Sequence, residues 1–291
     1  MKVVDTLKPI RDEDTGYVTG YEKDSVDRVL EQQEREQKQR KAYRDMKEQE
    51  ESRLKDQRHF YKVFDSGKEL VKETELADLG VLFRLTTNLY YEGTGILAKE
   101  KSKEGSLKPL KRSDLMKLLT KSKNGVDAAI ERLERIGAIR IDRGRRPIKY
   151  YISEDLVSFG KGTGEGHFTK LYKTKAQLLL KKLTDSEAGV VFKCLPYIHY
   201  KTHLLVMSPY EKDLTKVNAI RGAALAEQLG IERKSFNNLT SQLKRKGAMM
   251  FLEVGTKGKG YVINPDLCDR GFTSEYTDRV RAYFTSLLEE K

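Results

Sequence analysis

The pattern of apolar and polar positions sets the N-terminal segment apart from the rest of the chain. Residues 23–58 contain neither Gly nor Pro, and opposite charges recur four residues apart, as at Glu31 and Arg35. Each such pair adds about 0.2–0.5 kcal/mol to an isolated helix. The few apolar residues keep no heptad, so the segment predicts one long solvated helix, a charged spacer, capped by Asp24 or Ser25.

A short hairpin is predicted ahead of that helix. The apolar pairs Val3-Val4 and Tyr17-Val18 flank the turn residues Asp14-Thr15-Gly16. Two apolar runs around a glycine-containing turn are typical of paired strands.

Beyond residue 58 the chain repeats itself at an interval of 108–111 residues. His59–Lys62 returns as His167–Lys170, and Asp78–Arg84 returns as Glu187–Lys193. Small insertions in loops account for the drift of the interval. Since the period is far longer than that of solenoid repeats, two copies of one domain are expected.

The repeat divides the chain into five predicted parts. These are an extension with the charged helix (1–58), a first domain (59–158), a Gly-rich linker (159–166), a second domain (167–272) and an amphipathic C-terminal helix (273–291). The linker run Gly160–Gly166 lacks the Lys-Ser/Thr of a phosphate loop, so that interpretation is rejected.

Each copy presents the same order of predicted elements. An apolar helix, about 76–91 or 184–198, precedes a short extended piece, and Pro196 is expected to kink or end the second of these helices. Two helices around a tight turn follow, then two strands around a basic tip. The predicted bounds of these paired helices are Arg112–Leu119 with Lys123–Ile136, and Arg221–Leu229 with Arg233–Lys246.

Helix, turn, helix and hairpin is the layout of a winged helix-turn-helix. The run Leu225–Leu239, continuing to Leu243–Gly247, resembles the DNA-reading unit of MarR-like winged-helix proteins. At the level of one whole copy, the chain is also similar to plasmid and phage replication or maintenance proteins of the RepL type. The expected fold class is therefore mainly α with small β-hairpin wings (α+β), as two tandem winged helix-turn-helix domains.

The first copy departs from the pattern at two points. Thr120 stands where the second copy has Gly230, and Asn124-Gly125 places a turn signal inside the expected recognition helix. We expect that helix to start about one turn late.

A recognition helix reads bases with the exposed side chains of its first turns, while a wing reaches phosphate or the minor groove. Phe236, Leu239 and Leu243 are expected on the opposite, core-facing side. The candidate base-reading residues are Arg233, Lys234, Ser235, Asn237, Asn238 and Ser241 in the second copy and Ser122, Lys123, Asn124, Asp127 and Ala128 in the first. The candidate wing residues are Arg143, Arg145, Arg146, Lys257 and Lys259.

Charge agrees with a polyanionic partner. The 291-residue chain has a net charge of +12, and its surplus lies in 59–157 (+5) and 158–291 (+8), whereas 1–58 carries −1. A basic globular body attracts nucleic acid, although a lysine-rich surface that serves solubility alone remains the simplest alternative.

Catalytic and metal-binding signals are weak. His199 and His203 have i,i+4 spacing but no HExxH pattern, so packing is the preferred interpretation. Cys194 and Cys268 cannot build a disulfide framework, and Cys194 is expected in the core. Tyr150 and Tyr151 are expected to pack on a strand. We therefore expect no enzyme, no catalytic residue, no metal and no cofactor.

The sequence predicts a protein that binds double-stranded DNA sequence-specifically. The resemblance implies a prokaryotic mobile element, with transcriptional regulation or replication initiation as the open alternatives; rival interpretations are an interaction scaffold and a nicking enzyme. A cytoplasmic, nucleoid-associated location without membrane contact is expected. Homodimerisation through the N-terminal or C-terminal helix is a further expectation, because an apolar stripe runs along residues 274–289 and needs a covering surface.

Overall fold

The computed structural model describes residues 8–55, 58–91, 94–99, 107–144, 146–160, 166–254, 258–271 and 275–289. Helices are joined to small antiparallel sheets, so the fold class is α+β. The chain forms two compact units, Met1–Gln57 and Arg58–Lys291.

The N-terminal unit consists of a hairpin and a long helix. Strand β1 (Pro9–Arg11) pairs with β2 (Val18–Tyr21), and helix α1 spans Lys23–Lys55. The predicted hairpin therefore exists with a different first strand, while Val3-Val4 lies outside the described residues. Opposite charges along α1 form exposed i,i+4 ion pairs, such as Glu31 with Arg35, as the pattern predicts.

The larger unit contains both copies of the repeat. The elements of the first copy are β3 (Phe60–Phe64), α2 (Lys68–Glu73), α3 (Leu76–Thr86), β4 (Ala98–Lys99), β5 (Lys108–Pro109), α4 (Arg112–Leu119), α5 (Lys123–Arg135), β6 (Ile139–Asp142), β7 (Lys149–Ile152) and β8 (Val157–Phe159). Those of the second are β9 (Phe168–Tyr172), α6 (Lys173–Leu180), α7 (Asp185–Cys194), α8 (Gly222–Gln228), α9 (Arg233–Arg245), β10 (Met249–Val254), β11 (Gly258–Ile263), β12 (Cys268–Asp269) and α10 (Glu275–Glu289).

Two predicted helices are shorter in the structure. Helix α3 ends at Thr86 rather than near residue 91, since Thr87 and Asn88 form a turn. Helix α7 ends at Cys194 and continues as a 3-10 turn, Leu195–Tyr197. Pro196 lies in that turn, where its ring and missing N–H oppose a continued α-helix.

A four-stranded sheet in the order β12-β9-β3-β8 joins the copies. The first strand of each copy, β3 and β9, pair antiparallel at its centre, and Lys62 lies opposite its own repeat equivalent, Lys170. The register is symmetric about this pair, because Phe60 faces Tyr172 while Phe64 faces Phe168. The two copies are therefore related by an approximate two-fold axis within one chain.

Helices α3 and α7 make the most extensive helix contact of the unit. The rings of the equivalent residues Phe83 and Phe192 lie 5.6 Å apart at this crossing. Both helices are almost fully buried. They thus place one continuous core between the copies.

Polar side chains also cross from one copy to the other. Arg84 in α3 donates to Asp185 at 2.8 Å and to the carbonyl of Leu180 at 2.6 Å. Arg270, next to β12, forms an ion pair with Asp65 and donates to the hydroxyl of Tyr210. The ranges 59–158 and 167–272 therefore share one sheet and one core, and their standing as two separate domains stays a prediction.

The C-terminal helix α10 packs on the second copy. Val280 and Phe284 are buried against a small cluster formed by Leu204, Val206, Met250 and Val262. This contact covers part of the predicted apolar stripe, whereas Tyr283 remains 60% exposed. Self-association through this helix stays a prediction.

Candidate nucleic-acid interface

Each copy places a two-helix element with a tight turn on the surface. The turn of α4 and α5 contains Thr120 at φ 53°, and the turn of α8 and α9 contains Gly230 at φ 66°. Left-handed backbone is easy for Gly and uncommon for Thr. The backbone is therefore left-handed at the equivalent position of both copies, despite the sequence departure at Thr120.

Helix α5 starts at Lys123, so the expected late start is wrong. The side chain of Ser122 accepts a hydrogen bond from the backbone N–H of Gly125 and caps the helix. A serine cap satisfies one of the free N–H groups of the first turn. This cap outweighs the turn preference of Asn124-Gly125, and α5 and α9 have equal lengths of 13 residues.

Helix α9 has the predicted division of its faces. Phe236 and Leu243 are buried and Leu239 is half-buried. The six candidate reading residues of this helix are all exposed: Arg233, Lys234, Ser235, Asn237, Asn238 and Ser241. Two of their hydroxyls are engaged, since Ser235 donates to Glu232 and Ser241 donates to the carbonyl of Asn237.

Helix α5 presents a different set of side chains. Ser122, Lys123, Asn124 and Ala128 are exposed, but Asp127 is only half-exposed. Asp127 accepts from Arg112 at 2.6 Å, within an ion pair that also raises the pKa of Arg112. The carboxylate of Asp127 is therefore already paired with a residue of the same copy.

The two hairpin wings exist, β6 with β7 and β10 with β11. Arg143 donates through both terminal nitrogens to Glu134, at 2.7 and 2.6 Å, and Lys259 contacts Glu253 at 3.0 Å. Arg146 is exposed. The remaining candidate wing residues, Arg145 and Lys257, lie outside the described residues.

The junction of helix and wing differs between the copies. In the second copy the ring of Tyr261 contacts Phe236 and Phe251, with centroids 5.5 and 5.2 Å apart. The equivalent first-copy positions hold the smaller Val126 and Ile141 beside Tyr150, and a cleft of about 400 Å³ opens there. Among the residues that the structure describes, the second wing therefore has aromatic contacts with its helix that the first wing does not have.

Carboxylates of the buried central helices anchor both surface helices. Asp78 in α3 accepts two hydrogen bonds of 2.7 Å from Arg132 of α5. The equivalent Glu187 in α7 accepts from Lys246 at the end of α9, at 2.6 and 2.8 Å. Sequence reasoning missed these anchors, although an acid at both equivalent positions of apolar helices was a readable signal.

The histidine and cysteine candidates are packed. His199 contacts the carbonyl of Glu211 through Nε2 at 2.9 Å, and Cys194 is buried as expected, which raises the pKa of its thiol. Within the described ranges, no group of three or more His, Cys, Asp or Glu is arranged for a metal ion.

Comparison of the chain with protein-family models, curated proteins and solved structures finds no match. Of the helices that the structure describes, none combines the length and the apolar character that crossing a bilayer requires.

Proposed function

We infer that the chain binds double-stranded DNA sequence-specifically through two winged helix-turn-helix units. One observation carries this proposal: two equivalent helices, α5 and α9, are exposed along their first turns, and each is followed by a hairpin in the same order. A helix with polar and cationic side chains at its start suits the major groove, and the hairpin beside it suits the flanking backbone.

Charge supports this assignment over a protein-binding use of the same fold. The surplus of cations lies in the two copies and not in the N-terminal segment. Lysine and arginine on a DNA-binding face neutralise phosphates and release counterions, so affinity depends steeply on salt.

The two-fold arrangement supports simultaneous use of both readers. Equivalent strands pair about Lys62 and Lys170, so an approximate two-fold axis relates α5 and α9 within one compact unit. Proteins with two-fold symmetry bind two half-sites in inverted orientation. Since both readers belong to one chain, binding by one raises the effective concentration of the other.

The proposed role is occupation of an operator in a prokaryotic mobile element, by a nucleoid-associated regulator that needs no cofactor. Replication initiation is the alternative role, and it is the one that the resemblance to RepL-type proteins favours. It requires the same contacts with DNA and differs in where the bound sites lie, at an origin instead of a promoter.

Fluorescence anisotropy of labelled duplexes, titrated with the full chain, tests the proposal. We expect binding that weakens by about a hundredfold or more between about 50 and 200 mM salt. A variant that combines Arg146→Ala, Arg233→Ala and Lys234→Ala should bind more weakly and show a shallower salt dependence. Absence of binding at low salt, or binding that salt does not weaken, would contradict the proposal.

A further inference from the structure

We propose that the two copies divide the recognition of DNA between them: the second copy specifies bases, and the first holds the phosphate backbone. The bound site is then an imperfect inverted repeat with one strongly constrained half. This inference rests on the proposed function and adds the kind of site that the chain recognises.

The reading faces of the two helices differ in charge. Helices α5 and α9 align with an offset of 110 residues, so Asp127 and Glu131 of α5 stand where α9 has Asn237 and Ser241. Ala128 stands where α9 has Asn238. Carboxylates repel phosphate, and alanine offers no hydrogen bond to a base edge, whereas asparagine pairs with adenine through two hydrogen bonds.

The second helix also keeps four of its six candidate side chains available. The side chains of Arg233, Lys234, Asn237 and Asn238 make no hydrogen bond or ion pair within the described part of the chain. In the first helix the carboxylate of Asp127, at the position of Asn237, is paired with Arg112. Hydroxyls are engaged in both helices, at Ser122 in the first and at Ser235 and Ser241 in the second. A group already paired inside the protein must give up that partner before it can read a base.

In the wings, by contrast, the first copy has more cationic side chains than the second. The first tip carries Arg143, Arg145 and Arg146 within four residues and no acid among them. Arg146 is exposed, with no ion pair among the described residues. Each wing also has one paired cation, Arg143 with Glu134 in the first and Lys259 with the exposed Glu253 in the second. Arginines at a hairpin tip can provide backbone contacts that carry no sequence information.

The packing between helix and wing also differs between the copies. Phe236 and Phe251 brace Tyr261 between the second helix and its wing, while the cleft beside Val126 and Ile141 separates the corresponding first-copy elements. Base readout needs side chains that are held in place before binding, and backbone contact tolerates adjustment.

Selection of bound duplexes from a random pool by the full chain tests this division, together with the equivalent variants Arg233→Ala and Lys123→Ala. The parent should select two inverted half-sites, one with several fixed base pairs and one nearly unconstrained. Arg233→Ala should lower the preference for the selected duplex over a scrambled one by about tenfold. Lys123→Ala should weaken both duplexes equally.

Asn238→Ala should repeat the effect of Arg233→Ala, and unchanged thermal unfolding midpoints exclude misfolding because all three residues are exposed. Two equally constrained half-sites, or a loss of preference in Lys123→Ala as large as that in Arg233→Ala, would overturn the division while leaving DNA binding intact. A parent chain that captures no duplex would overturn the proposed function, and the division with it.

Discussion

Gly80 and Gly189 are equivalent residues that meet the opposite helix in the same way. A Cβ on Gly80 would collide with the backbone carbonyl of Asp185, the first residue of α7, and a Cβ on Gly189 would collide with the carbonyl of Leu76, the first residue of α3. The two buried helices can approach this closely only because both residues lack a side chain. The contact between α3 and α7 therefore fixes the position of the two copies, and of the surface helices α5 and α9, relative to each other.

Alanine at either glycine should destabilise the larger unit. We expect Gly80→Ala and Gly189→Ala each to lower the free energy of unfolding by about 2–4 kcal/mol, since backbone must move to admit the methyl group. Urea denaturation measures the change. Gly125→Ala is the matched control, because its Cβ would lie 3.4 Å from the nearest atom, Ser122 Oγ, and alanine favours a helix. Equal stability of Gly80→Ala and the parent would show that the crossing is not tight.

The anchor between Glu187 and Lys246 should make stability depend on pH. Burial raises the pKa of Glu187, but hydrogen bonds from Lys246 and from the backbone of Thr184 outweigh it, so the pKa lies below its usual value. A carboxyl whose pKa is depressed by folding contributes stability above its unfolded pKa of about 4.3, and this is lost as pH falls.

Urea denaturation across this range measures that contribution. Glu187→Gln should be less stable than the parent by about 1–3 kcal/mol at neutral pH, and its free energy of unfolding should fall less between about pH 5 and pH 3. If the free energy of unfolding fell equally with pH in the parent and in Glu187→Gln, an ionised Glu187 in the folded state would be contradicted.

The stability of the C-terminal helix α10 should depend on pH through His203. Its Nε2 lies 2.9 Å from the hydroxyl of Thr277 in α10. Burial lowers the pKa of His203, the Asp269 carboxylate opposes this, and Arg281 and His199 add to the lowering. The folded state thus favours neutral histidine, and stability present above about pH 6.5 is lost as pH falls below that value.

Hydrogen exchange of the α10 amides, corrected for intrinsic rates, should show weaker protection at about pH 5.5 than at about pH 7.5. His203 has a φ of 56°, which asparagine tolerates. The His203→Asn variant should therefore fold, and the protection of its α10 amides should change less between the two pH values than in the parent. Identical protection of the parent at both would exclude this coupling.

The aromatic brace of the second copy should contribute to stability. Phe236→Val introduces the residue type of the first copy at a fully buried position, and we expect a loss of about 2–3 kcal/mol in the free energy of unfolding. Ile141→Phe, which introduces the residue type of Phe251 beside the first-copy cleft, should cost less than about 1 kcal/mol because space is present there. A larger cost for Ile141→Phe than for Phe236→Val would show that the cleft is not open.

Much of the local structure could be predicted from the chain. Helices α4, α8 and α9 begin within one residue of their predicted starts, and Gly137 and Gly247 follow the ends of α5 and α9 in left-handed backbone at φ 76° and 71°. These signals are local: apolar periodicity, caps and glycine at a helix end. The prediction of a late start at Asn124-Gly125 is wrong because the cap at Ser122 outweighs the turn preference of these two residues.

The relation between the copies could not be predicted in the same way. His59–Lys62 and its equivalent were recognised as a repeat, but nothing local specifies that β3 pairs with β9 more than 100 residues away. Nothing local specifies the hydrogen bond between Arg84 and Asp185, or the one between Arg132 and Asp78, either. Long-range pairing depends on which buried surfaces meet, and one sequence supplies no pairwise information on that point.

Hydroxyl-radical footprinting of the full chain on a selected duplex tests the account most directly. Two readers related by an approximate two-fold axis should protect two separate windows that face one side of the duplex, and Arg233→Ala should weaken protection in one window more than in the other. Protection of a single window, or of none, would contradict the claim that this chain presents two DNA-reading helices at once.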